Sequence, residues 1–192
     1  AYALDQASGK VRRYFAPHTV LATGGLGQLY LHTTNPRVAR GDGLAMAYRA
    51  GAQIINAEYI QFHPTAFYHR DAERFLISES VRGEGAVLRR RDGTAFMPEY
   101  HPMAELAPRD VVSRAIVRQI QITHDSSVYL DLTHLPARQV RERFPRLAEL
   151  CHTFGIDIAK DLIPIRPSAH YFVGGVRIVS IGRTSIAGLY AA

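Results

Sequence analysis

The 192 residues are 47% hydrophobic and 21% charged, a balance that excludes intrinsic disorder and allows a substantial core in one or two domains. The formal net charge is +6 at pH 7, but the basic residues are scattered and match no recognisable nucleic-acid module, so no nucleic-acid partner is expected. There is no signal peptide, no apolar run approaches the ~18 residues of a membrane span, and the single cysteine, Cys151, excludes an intrachain disulfide and suits a reducing, cytoplasmic setting.

In chain order, Lys10 to Phe15 and His18 to Thr23 bracket Ala16-Pro17 and read as strands, the second running into Gly24-Gly25-Leu26-Gly27. A strand ending in glycines brings backbone N–H groups close to a phosphate, although the full dinucleotide fingerprint is absent and a plain turn explains the same residues. Asn35-Pro36 is a boundary. Gly41-Asp42-Gly43 opens a small-residue helix, Leu44 to Ala50, closed by Gly51. Gln53 to Phe62 has β character and delivers His63 at its end. Leu76 to Leu88 reads as a short helix or as an irregular strand interrupted by Gly83 and Gly85, and Asp92-Gly93 as a turn.

The clearest helix is Arg109 to Ile122. Val112, Ala115, Ile116 and Ile120 recur at helical spacing, and Asp110 sits in the first turn, where the helix dipole favours an anion. Val128 to Leu132 is a short strand, and Pro136 to Cys151 is helical with a restart near Pro145 and an end at Gly155. Ile163-Pro164-Ile165-Arg166-Pro167 must be extended, because each proline restricts the residue before it. Tyr171 to Val179 returns to strand character, with a turn at Gly182. The order is strands, a mixed middle, then strands again: an α+β chain with one domain inserted between two halves of another.

Four groups bear on chemistry. His63 precedes Pro64, whose fixed φ stiffens the backbone beside the imidazole; His170 lies between Pro167 and Gly174-Gly175. The commoner reading of either residue is a packed histidine satisfied by a backbone carbonyl. Glu79 and Arg82 are three apart, so on a helix they share a face and can pair, with Glu84 nearby. Arg109 follows Pro108 at the start of the long helix. Two arginines and two histidines match a substrate with two carboxylates and stabilise developing negative charge. Arginine is a poor acid at its ordinary pKa, so a proton-transfer role requires a coupled glutamate and a dry site. Zinc is disfavoured, because no short helical histidine pair and no cysteine cluster exists, and no nucleophile elbow supports a serine hydrolase. Of the 23 basic residues, Lys10 and Lys160 are the lysines; the arginine bias fits planar carboxylate recognition or a coding preference equally well.

Together, Ala22-Thr23-Gly24-Gly25, Thr33-Thr34-Asn35-Pro36, Gly41-Asp42-Gly43, Gln61 to Thr65, Ser78 to Gly85, Leu106 to Asp110, Ala169 to Gly175 and Gly188-Leu189-Tyr190-Ala191 resemble the flavoprotein family that contains L-aspartate oxidase and the flavoprotein subunits of succinate dehydrogenase and fumarate reductase. The resemblance spans essentially the whole chain, and Leu106 to Asp110 with Pro167 to His170 lean toward the aspartate-oxidising branch. It implies a capping domain over an FAD domain: residues 1–41 part of the FAD domain, 42–167 the cap, 168–192 a second part of the FAD domain. It implies FAD, held non-covalently, with Ala22, Thr23, Gly24 and Gly25 beside it. It places His63 and His170 on a substrate carboxylate, Ser78 at a substrate-contacting hydroxyl position that is usually threonine, and Gln61 in the pocket. Arg109 matches the arginine of proton exchange, with Glu79 and Arg82 as its relay partners.

The implied reaction is oxidation of L-aspartate, or of another C4 dicarboxylate, with oxygen or fumarate as electron acceptor. In the oxidase branch the product feeds NAD synthesis through a quinolinate synthase. The respiratory subunits and a non-catalytic cap module are the alternatives. The family's N-terminal dinucleotide motif and a further substrate arginine lie outside these residues, so the isolated chain is expected to be inactive. The start at Ala1 implies a trimmed or processed chain, and Val179 stands where the family pattern leads one to expect a polar or acidic residue.

Overall fold

A computed structural model describes residues 1–72 and 75–192. Its centre is an antiparallel sheet in the order β5-β8-β7-β6, formed by β5 (Ile60–Phe67), β6 (Val87–Arg89), β7 (Val128–Asp131) and β8 (Ile163–Phe172). The longest strand, β8, contains Pro164 and Pro167. The pairing of β8 to β5 shifts register twice, once between Gln61 and Phe62 and once between His63 and Ala66, and the second shift accommodates Pro167 with its missing N–H; Pro164 stands opposite Tyr129 of β7. The second shift absorbs Pro64 as well. His63 therefore lies within β5 and not at the end of a strand as the sequence led us to expect. The β-like stretch that precedes it is broken instead at Asn56, whose φ of 52° turns the chain between β4 (Ile54–Ile55) and β5.

The helix expected over Arg109 to Ile122 is α3 (Arg109–Thr123), which buries Val112, Ala115, Ile116 and Gln119 against the sheet. Ser113 donates to the Phe62 carbonyl at 3.2 Å, tying α3 to β5 directly. Between β5 and β6, the short α2 (Glu79–Gly83) resolves the helix-or-strand choice in favour of helix, and Gly85 at φ 105° turns the chain into β6. The region before Gly155 is two helices, α4 (Ala137–Arg143) and α5 (Pro145–His152). The break falls at Phe144, which Pro145 forces out of helical geometry. Phe67, Ile77, Leu88, Phe96, Ile116, Leu130, Ile163 and Ile165 form the core beneath these elements.

The flanking segments form small sheets. β1 (Tyr2–Asp5) pairs with β2 (Lys10–Arg13) in an exposed hairpin, so the first strand of the chain is one the sequence pattern missed. β3 (Thr19–Leu21) pairs in parallel with β10 (Leu189–Ala191). The helix opened by Gly41 is α1 (Asp42–Arg49), and β4 pairs with β9 (Gly175–Val176). The strand character expected through Val179 therefore stops at β9, and a 3-10 turn, Ser180–Gly182, follows. The architecture is mixed α and β. Among the described residues no helix is long and apolar enough to cross a membrane.

Candidate active site

Three elements converge at one end of the β5–β8 pair. Ser78 caps α2, its hydroxyl accepting from the Ser80 N–H at 3.2 Å and from the Ser80 hydroxyl at 2.8 Å. Glu79 then stands in the first turn of α2, and Arg82 one turn later is 2% exposed. α3 begins with Arg109, and β5 presents Gln61. The three charged residues form one chain. Glu79 Oε1 lies 3.1 Å from Arg82 Nη2, Glu79 Oε2 accepts from Arg109 Nε at 2.7 Å, and Arg109 Nη1 donates to Gln61 Oε1 at 3.2 Å. Arg82 Nη1 donates to the Glu105 carbonyl. Its Nε and Nη2 make no hydrogen bond of good geometry among the described residues, so the contact with Glu79 is an ion pair by distance more than an aligned hydrogen bond.

Burial lowers the pKa of Arg82, and the Arg109 charge works in the same direction against the pull of Glu79. Burial of Glu79 works to raise its pKa, but the hydrogen bond from Arg109 and the charges of Arg82 and Arg109 outweigh it and hold the carboxyl below its usual value. The result is an anion shared by two guanidinium groups, one of them buried.

The two histidines are neighbours across the strands, with ring centroids 5.4 Å apart and planes at 72°. His63, 1% exposed, accepts the Thr65 N–H at Nδ1 over 3.2 Å. His170 is partly buried, its Nδ1 3.3 Å from the Thr34 hydroxyl, while Asn35 Nδ2 donates to the His170 carbonyl at 2.7 Å. Burial pushes the His63 pKa down to about 4, with Arg109 and then His170 adding to the shift. Burial and the same arginine lower that of His170. His63 is therefore neutral at pH 7, and His170 is shifted in the same direction.

This makes a stability prediction. The unfolded chain takes up a proton on His63 near the ordinary imidazole pKa of 6.5, while the folded chain resists until about 4. Across that window the unfolded state binds more protons, so stability falls as pH falls and the His63 contribution levels off below it. Thermal midpoints measured from pH 7 to 4 should decline, and His63→Gln should flatten part of that slope. An unchanged slope would refute the buried neutral imidazole.

Gln61, His63, Glu79, Arg82, Arg109 and His170 are thus brought together, whereas the Ser78 hydroxyl is occupied as a helix cap. Thr34, Thr65 and Glu105 were missed as site residues. The first two lie inside quoted motifs, but their role is to hold a ring nitrogen, which no composition signal marks. A cavity of about 830 Å³ opens beside Gln61 and Arg109 and follows α3 past Arg114 and Arg118; neither histidine lines it.

A second cavity, about 720 Å³, lies where Thr23-Gly24-Gly25-Leu26 meets Tyr171 to Val176. Leu21, Leu44, Ile55 and Val176 make its walls apolar, and Thr23 and Tyr171 add hydroxyls. Gly24, at φ 72°, has open space where a side chain would stand, so its backbone is approachable. Thr23 instead packs on Gly43, where a methyl group would overlap its side chain. Ala22 is not part of the lining. Apolar walls beside approachable glycine backbone fit a flavin ring.

A family model described as an FAD binding domain matches residues 1–192. The chain is 53% identical over 190 residues to L-aspartate oxidase 1 of Ralstonia nicotianae, covering 99% of this chain and 36% of that protein. It is 49% identical over 191 residues to the L-aspartate oxidase of Pseudomonas aeruginosa, again 36% of that protein. The chain thus spans little more than a third of these curated relatives. Among solved structures, a quinol-fumarate reductase with menaquinol molecules superposes with a TM-score of 0.87 at 33% identity, covering 99% of this chain and 36% of that one. Sdh1 of Mycobacterium smegmatis in complex with UQ1 gives a TM-score of 0.77 at 37% identity, over 92% of this chain and 30% of that one.

Proposed function

The chain belongs to the FAD binding domain family, and from that membership we propose that it is the substrate-facing portion of an enzyme that oxidises L-aspartate to iminoaspartate. The observation that carries this reading is the continuous chain Gln61–Arg109–Glu79–Arg82 beside two adjacent imidazoles, His63 buried and His170 partly buried. Identities near 50% to L-aspartate oxidases, against 33–37% to the respiratory structures, favour the amino-acid substrate over succinate or fumarate.

Oxidation of an amine to an imine removes a hydride from carbon and a proton from nitrogen. FAD, when bound in the cavity at Gly24-Gly25, supplies the acceptor for the hydride. This chain's own residues bind, orient and move the proton. His63, being neutral, and His170 hold a substrate carboxylate by hydrogen bonds, His63 at no cost of a second buried charge. Arg109 is partly exposed at the edge of the 830 Å³ cavity and supplies positive charge to the dianionic ligand. Glu79 orients Arg109 and links it to Arg82, whose lowered pKa suits a group that passes a proton. Gln61 fixes the far side of the Arg109 guanidinium.

We assign residues 42–167 to the cap and 1–41 with 168–192 to the FAD domain. Pairing of β3 with β10 supports joining the flanks, and residues 42–167 hold α2 to α5 with β5, β6 and β7. The line after 167 is drawn inside β8, which is continuous across it. In the longer protein the imine product is proposed to pass to a quinolinate synthase, with oxygen or fumarate taking the electrons. The test is to restore the full-length chain around these residues, load it with FAD, remove the excess, and follow flavin bleaching under nitrogen with L-aspartate, D-aspartate and succinate. Bleaching by L-aspartate alone is expected. Bleaching by succinate instead would move the chain to the respiratory branch.

A further inference from the structure

We infer that the His63-Pro64-Thr65 turn locks His63 into its Nε2–H tautomer, so that the ring meets a ligand only as a hydrogen-bond donor and accepts at that point a carboxylate oxygen, never an ammonium group. The inference rests on the dicarboxylate reading above and adds to it the tautomer of the ring and the exclusion of an ammonium group at that point.

The geometry is simple. A backbone N–H is a donor and nothing else. The Thr65 N–H points at His63 Nδ1 over 3.2 Å, so Nδ1 must present its lone pair. The Thr65 hydroxyl lies 3.4 Å from the same nitrogen, but its proton is committed to the Ile77 carbonyl at 2.9 Å. A proton on Nδ1 could reach that hydroxyl oxygen only by facing the Thr65 N–H. In the neutral ring the proton therefore sits on Nε2, which is the nitrogen left for a ligand. Protonation of Nδ1 would set two N–H groups against each other, in a site that already contains Arg109 and Arg82, so the imidazolium form is opposed by contact as well as by burial.

The same contact recurs at the surface in His101-Pro102-Met103, where the Met103 N–H meets His101 Nδ1 at 3.1 Å. It recurs without proline at His69–Asp71, at 3.2 Å. The turn is thus a repeatable local device, and Pro64 stiffens the copy that lies in the site. His170 differs. Its Nδ1 faces a threonine hydroxyl, which rotates to donate or accept, so that ring is free to carry its proton on either nitrogen.

A locked donor discriminates. L-Aspartate offers two carboxylates and one ammonium group; at His63 a carboxylate oxygen completes a hydrogen bond, whereas an ammonium would set donor against donor. His63 is also excluded as the base that takes the amine proton, which leaves that step to the Arg109–Glu79 side or to His170.

The test has two independent readouts. Protein labelled with 15N-histidine, free of substrate, is examined by long-range 1H–15N correlation, with His63 assigned from its loss in His63→Gln. The Nε2–H pattern, persisting without titration from pH 8 to 5.5, is expected; an Nδ1–H pattern or titration in that range overturns the lock. Then succinate binding to the full-length, FAD-loaded protein is measured by calorimetry. His63→Gln places its amide N–H near the Nε2 position and should bind within about tenfold of the unsubstituted protein, whereas His63→Asn, whose amide sits near Nδ1, should lose roughly 10- to 100-fold. Equal loss in both, or none in either, overturns the ligand assignment. Failure of the unsubstituted protein to bind any C4 dicarboxylate refutes the proposed function separately, because the tautomer is read without ligand.

Discussion

Replacing Arg109 with leucine in the full-length, FAD-loaded protein lowers turnover of L-aspartate by roughly 10²- to 10⁴-fold, the usual worth of a positioned proton-transfer group, while the folded structure persists. The asymmetry follows from where the residue sits. Arg109 is at the first position of α3, its side chain is about a third exposed, and the buried face of the helix is carried by Val112, Ala115, Ile116 and Gln119. Leucine loses the hydrogen bonds to Glu79 and Gln61 but no core contact. Glu79 keeps Arg82 as its counter-ion at 3.1 Å, so no carboxylate is stranded. Steady-state rates together with a thermal melt check this: a retained rate refutes the assigned role, and a collapsed melt shows that the arginine is structural.

The second large effect is expected at Gly174. A methyl group there would overlap the Asn56 carbonyl and come within 2.7 Å of the Ile55 carbonyl oxygen. Both are backbone atoms in the tight passage where β9 meets β4, so no side chain can swing aside. Overpacking of this kind costs about 1–3 kcal/mol or more, and a chain of this size loses about 2–4 °C of midpoint per kcal/mol. Gly174→Ala should therefore lower the melting temperature by roughly 5–10 °C. Since Gly174 also lines the 720 Å³ cavity, the variant should lose its flavin absorbance on gel filtration. Gly83→Ala is the matched control: an added methyl there meets nothing within 4 Å, and the melt should hold or rise slightly. A Gly174→Ala protein with an unchanged melt and full flavin would contradict the packing described.

The sequence was most legible where local rules act alone. α3 was readable from its 3.6-residue apolar period, the α4–α5 break from Pro145, and the extended start of β8 from Pro164 and Pro167. His63 was noticed through its proline, yet misplaced to a strand end, because a register shift that absorbs a proline leaves no mark in the sequence itself. The charged chain was half legible. Glu79 and Arg82 pair by helical spacing, but Arg109 and Gln61 reach them across long separations that follow only from the packing of α2, α3 and β5. β1 was not read as a strand, although its equally exposed partner β2 was. Thr34 was missed for the same reason as the Arg109 contacts: its hydroxyl matters only because the stretch around Thr33 lies beside Ala169 of β8.

The parallel pairing of β3 with β10 joins residues nearly the whole chain apart through three register pairs, in strands that are at most half-buried. Loop closure over such a span is entropically expensive and is repaid here by little surface. Within these residues, a three-residue pair that closes so long a loop is expected to open before the long β5–β8 ladder, which amide hydrogen exchange would read. Gly24 and Gly25 continue directly from β3, so the wall of the flavin-sized cavity inherits that lability, while the His63–His170 pair stands on the long β5–β8 ladder. The cofactor edge can fray and re-form with the substrate-binding imidazoles still in place, and a bound flavin would act as the clasp that ties the two ends of the chain together.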